Sequence, residues 1–280
     1  MNINLKINAV ERISSEGEHC AFTDLIENPF DNSRKSLLTC YRRGVNHISP
    51  DGVVIVCKVN VNSGAKTYQR LTLPSWDLRD PKFCFDGRKL IISAYAKHKD
   101  VNTGVITTKM VSYFSTTGES WSTPHFFGHS GWWLWRITWN KGKAYGFAYN
   151  RKNQRIDLFE GNPLKQLYLQ KKGAMSFEKH KFGYPNESHI VFDDADKATA
   201  IVRRDADSFS AKLGFSLPPY TNWTWHDLEQ YVGGPVMLSL SENTYVVAGR
   251  NWDGKNLTTA IWLLSSTDYS LKLLITLPSK

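Results

Sequence analysis

The sequence predicts an all-β chain built as a five-bladed β-propeller of four-stranded antiparallel blades. Three observations predict it. Helical periodicity is almost absent along the 280 residues. Short runs rich in Val, Ile, Phe, Tyr and Trp alternate with turns of Gly, Asn, Asp and Ser, the pattern of half-buried strands. The runs recur in groups: first-strand candidates begin near Ala21, Arg79, Arg136, Glu187 and Pro235, a spacing of roughly 50 residues that suits a four-stranded blade. Five such units fill a single propeller domain, with blades over approximately 18–75, 76–128, 129–183, 184–232 and 233–280.

The first blade takes Cys20 to Ile26, Ser36 to Arg43, Gly52 to Val59 and Thr67 to Leu73. The second opens with Asp77 to Phe85, where Arg79 and Asp80 stand just before Pro81 and point to opposite faces. The third opens with Gly131 to Trp139. Alternation places Trp132, Leu134, Arg136 and Thr138 on one face and Trp133, Trp135, Ile137 and Trp139 on the other, a face that reads as core. Arg136 then requires an anion ligand or a facing carboxylate, because a buried guanidinium needs a partner. The fourth blade pairs Pro185 to Phe192 with Ala200 to Arg204 across the polar turn Asp193 to Lys197, so Glu187 and the Arg203–Arg204 pair lie side by side at one end of a hairpin. Its aromatic loop, Pro218 to Trp225, is expected either to cap the blade or to wall a pocket, with capping favoured. The fifth blade contains Val236 to Leu240, Thr244 to Arg250, Leu257 to Leu264 and Leu271 to Leu277, with Arg250 at the place Arg203 holds in the fourth.

Composition narrows the function classes. The charge of +9 is scattered, with no basic run or nucleic-acid motif, so nucleic acid is not an expected partner and acidic substrates are favoured. Ten Trp residues suit both strands and sugar-stacking sites. The four cysteines, Cys20, Cys40, Cys57 and Cys84, form no metal-ligand spacing and are expected as buried thiols, with a Cys40–Cys57 disulfide left open. No metal or other cofactor is expected. The N-terminus lacks a signal-peptide pattern and no apolar run spans a membrane, so a cytoplasmic protein without a membrane partner is expected. The sequence leaves the oligomeric state open.

Asn186-Glu187-Ser188, the apolar strand after it, a turn and Arg203 resemble the fourth-blade hairpin of the sialidases, β-propeller neuraminidases with Asp-box (BNR-type) repeats. The resemblance implies that Glu187 assists a nucleophile and that Arg203 and Arg250 belong to a triad clamping a substrate carboxylate. The turns Asn60 to Tyr68 and Ser115 to Trp121 resemble Asp-boxes at the same place in consecutive repeats, which implies a structural role. The chain departs from the family elsewhere. Phe22-Thr23-Asp24 replaces the first family Arg, the segment from Arg42 to His47 replaces the acid Asp, and no sixth-blade Tyr has a counterpart. A second resemblance is to five-bladed glycosidases such as arabinanases. It implies that Asp24, Asp80 and Glu187 share the roles of base, acid and pKa modulator.

The candidate catalytic residues are therefore Glu187, Asp80, Asp24 and His47. The candidate substrate-binding residues are Arg43, Arg79, Arg136, Arg203, Arg204, Arg250 and Trp132, expected with Arg42 at one opening. The expected function is a sialidase-like, exo-acting glycoside hydrolase on a glycan carrying an acidic sugar of 2-keto-3-deoxy or uronic type. A five-bladed carboxylate-type glycosidase acting on neutral sugars and a non-catalytic glycan-binding propeller are the alternatives.

Overall fold

The computed structural model describes residues 3–14, 19–205 and 210–278. Glu18 and Lys280, the outer limits of the first and last expected blades, lie outside them. The chain is all-β, with five antiparallel sheets that form a five-bladed β-propeller.

The first sheet runs β1 (His19–Glu27), β2 (Ser36–Gly44), β3 (Val53–Asn60) and β4 (Lys66–Leu71), each strand beside the next. The second runs β5 (Asp77–Phe85), β6 (Leu90–Lys99), β7 (Ile106–Ser115) and β8 (His125–Phe127). The third contains β9 (Trp133–Leu134), β10 (Thr138–Asn140), β11 (Lys143–Asn150), β12 (Arg155–Asn162) and β13 (Gln166–Ser176), with β9 and β10 both pairing β11. The fourth runs β14 (Tyr184–Phe192), β15 (Ala198–Asp205), β16 (Lys212–Ser216) and β17 (Thr224–Asp227). The fifth runs β18 (Gly233–Ser241), β19 (Thr244–Trp252), β20 (Leu257–Ser265) and β21 (Leu271–Leu277). A single helical turn, α1 (Phe177–His180), follows β13; Ser176 caps it by accepting from the Lys179 N–H. Among the described residues no helix is long and apolar enough to cross a membrane.

Two compact units divide the chain. One comprises Met1–Val10, Tyr145–Phe159 and Leu169–Lys280; the other comprises Glu11–Ala144 and Glu160–Tyr168. The residues of the third sheet are shared out between them. Strand alternation builds each core. In the second unit, Leu38 and Cys40 of β2, Val54 and Val56 of β3, and Phe83 of β5 join Leu90 and Ile92 of β6. In the first, Leu213, Met237, Val247, Ala260 and Trp262 interdigitate, while Trp223 and Trp225 pack on a cluster containing Phe147 and Ala200. Their indole N–H groups donate to the Tyr220 and Ala174 carbonyls, and residues of the same loop from Pro218 to Thr224 line a pocket with Lys197 and Phe215.

Several local expectations need correction. The run from Gly131 to Trp139 is not one alternating strand: it breaks at Trp135, Arg136 and Ile137 into β9 and β10. Leu134 is buried together with Trp135 and Ile137, residues that a straight strand assigns to opposite faces. Cys57 pairs in register with Thr39, and Cys40 with Val56, so the two thiols lie on opposite faces of the sheet and all four cysteines are free. The turns after Asn60 and Ser115 do bond their own backbone: Asn60 Oδ1 accepts from Asn62 and Ser63, and Ser115 Oγ from Thr117 and Gly118. Asp86, Asp100, Asp193 and Asp253 make the same kind of turn elsewhere. These are ordinary Asx and Ser turns, and they do not single out an Asp-box family.

Candidate active site

Four first strands share one irregularity. Register shifts between Ala21 and Asp24 in β1, Arg79 and Lys82 in β5, Pro185 and Ser188 in β14, and Gly233 and Val236 in β18. In each strand two residues thus face a single partner, the geometry of a β-bulge, which re-aims side chains. The bulge pairs are Phe22-Thr23, Asp80-Pro81, Asn186-Glu187 and Gly234-Pro235. Phe22, Asp80 and Gly234 adopt positive φ there, at 62°, 46° and 58°. Two of the four bulges carry a carboxylate, Asp80 and Glu187, and both carboxylates are buried.

In the first unit the bulge of β14 sets Asn186 and Glu187 against Arg203 of β15. Glu187 Oε1 pairs with Arg203 Nη1 at 2.7 Å. Its Oε2 accepts from the Gly234 N–H at 2.6 Å, a donor supplied by the bulge of β18. Arg250 of β19, with a half-exposed side chain, reaches the same oxygen at 3.6 Å. Arg203 also holds Asp205 at 2.7 Å and lies 5.6 Å from the centre of the Tyr231 ring. Burial works against the Arg203 charge, but Glu187, Tyr231 and Asp205 outweigh it and raise its pKa. Burial also raises the Tyr231 hydroxyl, against the pull of Arg203 and Arg250. Sequence reading brought Glu187, Arg203 and Arg250 together. It missed Asp205 and Tyr231; Asp205 continues β15 one alternation beyond Arg203, a signal that was available, whereas Tyr231 sits in a loop with none.

In the second unit Asp24, next after the β1 bulge, supplies the carboxylate that Arg136 requires. Arg136 Nη2 lies 2.5 Å from Asp24 Oδ1 and Nη1 lies 3.2 Å from Oδ2, which also accepts from the Phe83 N–H at 2.8 Å. Burial pushes the Asp24 carboxyl up, but Arg136, buried Lys82 and these hydrogen bonds prevail and hold it below its ordinary value. Arg79 meets Asp77 at 3.4 Å and stacks over Phe22, 5.2 Å from the ring centre. His47, in the loop after β2, packs its ring against His19 and Phe22. Burial first, then the Arg79, His19 and Arg42 charges, lower its pKa. Trp132 is partly buried ahead of β9, and its neighbour Trp133 stacks on Tyr95 at 3.9 Å.

Three arginines are placed differently from the expectation. Arg42 is fully buried: Nε pairs with Asp77 at 2.7 Å, and the guanidinium also donates to the Asn46 and Ser49 carbonyls. Arg204 is buried likewise, donating to Ser210, the Phe182 carbonyl and Asp227. Both tie loops to strands and have no exposed guanidinium for a substrate. Arg43 alternates to the face opposite Arg42 and lines a separate cavity beside Tyr41 and Arg70. Among the described residues no group of three or more His, Cys, Asp or Glu side chains is arranged to hold a metal ion.

The five-bladed β-propeller fold is one that solved glycoside hydrolases share. The solved structures it resembles include Zg3597, a family 117 glycoside hydrolase of the marine bacterium Zobellia galactanivorans, at 9% identity and a TM-score of 0.57 over 86% of this chain and 83% of that one. They also include Bacillus subtilis levansucrase solved in complex with oligosaccharides, at 9% identity and a TM-score of 0.55 over 97% and 90% of the two chains. A levansucrase of B. megaterium matches at 8% identity and a TM-score of 0.54 over 94% and 88%. At such identities the likeness is one of fold. No family model and no curated protein sequence matches the chain.

Proposed function

We propose that the protein is a glycoside hydrolase in which Glu187 is a catalytic carboxylate. The observation that carries this reading is the setting of Glu187: a buried carboxylate on a strand bulge, held by Arg203 and the Gly234 N–H, with half-exposed Arg250 beside it. Asp80 has the corresponding place in β5. Glycosidic cleavage needs one carboxyl group to protonate the leaving oxygen and a second to activate water or attack the anomeric carbon. Asp24 is left out of this reading, because both its oxygens are engaged by Arg136 and the Phe83 N–H.

The carboxylate-type mechanism is favoured over the sialidase type, since Glu187 and Asp205 already neutralise Arg203 and Arg204 is buried in loop contacts. One observation favours an acidic sugar all the same: Arg250 stands 3.6 Å from Glu187 with about half its side chain exposed. Release of chromophore from a panel of neutral and acidic aryl glycosides tests both points. Glu187→Gln lowers kcat by about 100-fold or more, the scale of a lost acid–base group, while the fold persists by circular dichroism. Arg250→Gln raises KM for acidic glycosides only. If Glu187→Gln turns over normally and only melts earlier, the Glu187–Arg203 pair is structural. Binding without turnover on the whole panel makes the protein a glycan-binding module.

A further inference from the structure

The loop 217–223, between β16 and β17, shapes a cavity of about 470 Å³ at one end of the fourth sheet, in the size range of small-molecule pockets. Strand register places it. Phe192 stands opposite Ala198, and Ala198 opposite Ser216, so the β14–β15 turn and the loop emerge at the same end. Glu187 lies toward the other end of β14, roughly 16 Å from Phe192 at about 3.3 Å per residue. The loop is held from behind. Gln170 Nε2 donates to the Pro219 carbonyl at 2.9 Å, Ser216 Oγ to the Asn222 carbonyl at 2.5 Å, and the Tyr220 hydroxyl to the Asp196 carbonyl at 3.1 Å. The Trp223 and Trp225 rings stack 5.3 Å apart and pack on Phe147. A wall fixed in this way keeps the ordering cost of binding low.

We propose that this cavity binds a neutral sugar unit of a glycan. Phe215, Leu217 and Pro218 form an apolar wall, in which Leu217 is 66% exposed. The C–H face of a sugar ring suits such a wall, and a few polar groups then fix its orientation. Thr221, Asn222 and Thr224 supply them. Among the described residues their side chains have no hydrogen-bond partner, so two hydroxyls and an amide are available, and each both donates and accepts. A sugar hydroxyl does the same and pairs with them in either direction. Charge favours a neutral ligand. Lys197 is the one charged residue on the wall among the described residues, and its ammonium stands 4.6 Å over the Phe215 ring. The turn leading to it carries Asp193, Asp194 and Asp196, so an acidic sugar meets three like charges against one ammonium. The choice of a glycan over other polyhydroxyl ligands rests on the hydrolase reading; the place and polarity of the site do not.

Calorimetric titration of the full chain with xylo-, arabino-, fructo- and cello-oligosaccharides, and with oligogalacturonate as the acidic counterpart, tests the proposal. At least one neutral series binds. Thr221→Val together with Asn222→Ala removes two hydrogen-bonding groups and weakens that binding by about tenfold or more. The same double variant leaves any binding of oligogalacturonate unchanged. Glu187→Gln keeps the neutral binding, so loss of turnover and loss of this site are read separately. Melting curves verify that each variant is folded. The proposal is overturned if no neutral oligosaccharide binds at about 10 mM, if the double variant binds the neutral series like the parent, or if it weakens oligogalacturonate as much. Loss of neutral binding in Glu187→Gln, with full retention in the double variant, also overturns it.

Discussion

Asp24→Asn removes one charge from a pair in which the side chains are 5% and 10% exposed. Arg136 is left buried with a neutral neighbour, and buried Lys82 loses the same compensation. Breaking such a pair by deleting one partner costs about 3–5 kcal/mol. Asn keeps an acceptor for the Phe83 N–H, so the low end, about 3 kcal/mol, is expected. At about 2 °C per kcal/mol for a chain of this size, the melting temperature falls by roughly 6 °C at neutral pH. The pH dependence has a definite sign. The folded-state pKa of Asp24 lies below its ordinary value of 3.8, so its contribution is full above that value and is lost as the pH falls through the folded pKa. The gap in melting temperature between parent and variant therefore narrows below about pH 4. Differential scanning calorimetry from pH 7 to pH 3 reads both effects. A cycle with Arg136→Met isolates the pair: the double variant loses less than the sum of the singles by about 1.5 kcal/mol or more. Strict additivity, or a gap that stays constant down to pH 3, would refute the assignment of Asp24 and Arg136 as a buried ion pair.

Two further expectations concern the loops tied by buried arginines. Arg204→Gln strips the contacts to Ser210, Phe182 and Asp227 and lowers stability by about 3 kcal/mol in urea titration; stability within about 0.5 kcal/mol of the parent would contradict a structural role. Gly52→Ala drives a methyl into Asp77 Oδ1 and Arg42 Nε, and overpacking against that ion pair costs about 2 kcal/mol or more. An unchanged melting temperature in Gly52→Ala would mean that the Arg42–Asp77 contact yields freely.

The parts of the fold and site that were legible depend on neighbours in sequence. Five groups of strands could be counted because each blade is a local meander closed by Asx, Gly and Ser turns. Glu187 meets Arg203 because they flank one short hairpin, where antiparallel pairing fixes proximity. The break at Trp135 to Ile137 was not legible, because bulky residues on both sides of an alternating run satisfy either a straight strand or an interrupted one. The placement of Arg42 and Arg204 depended on acceptors in loops, Ser49 and Ser210, to which no pattern assigns a direction. The bulges escaped notice as well, although Asp80-Pro81 and Gly234-Pro235 put a proline second in two of them; register against a partner strand is what defines a bulge.

The sequence by itself determined the all-β class, the five repeats and the Glu187 hairpin, since alternation, turn chemistry and short-range pairing are properties of contiguous residues. Only the tertiary structure decided which charges are satisfied. Arg136 and Asp24 are far apart in the chain and meet through packed sheets; Gly234 reaches Glu187 because two bulges in different blades come together; and Arg42 and Arg43, adjacent in sequence, take opposite faces of one sheet. The energy of a charge depends on burial and on the partners that surround it in space, and those are properties of the folded chain rather than of any one stretch of it.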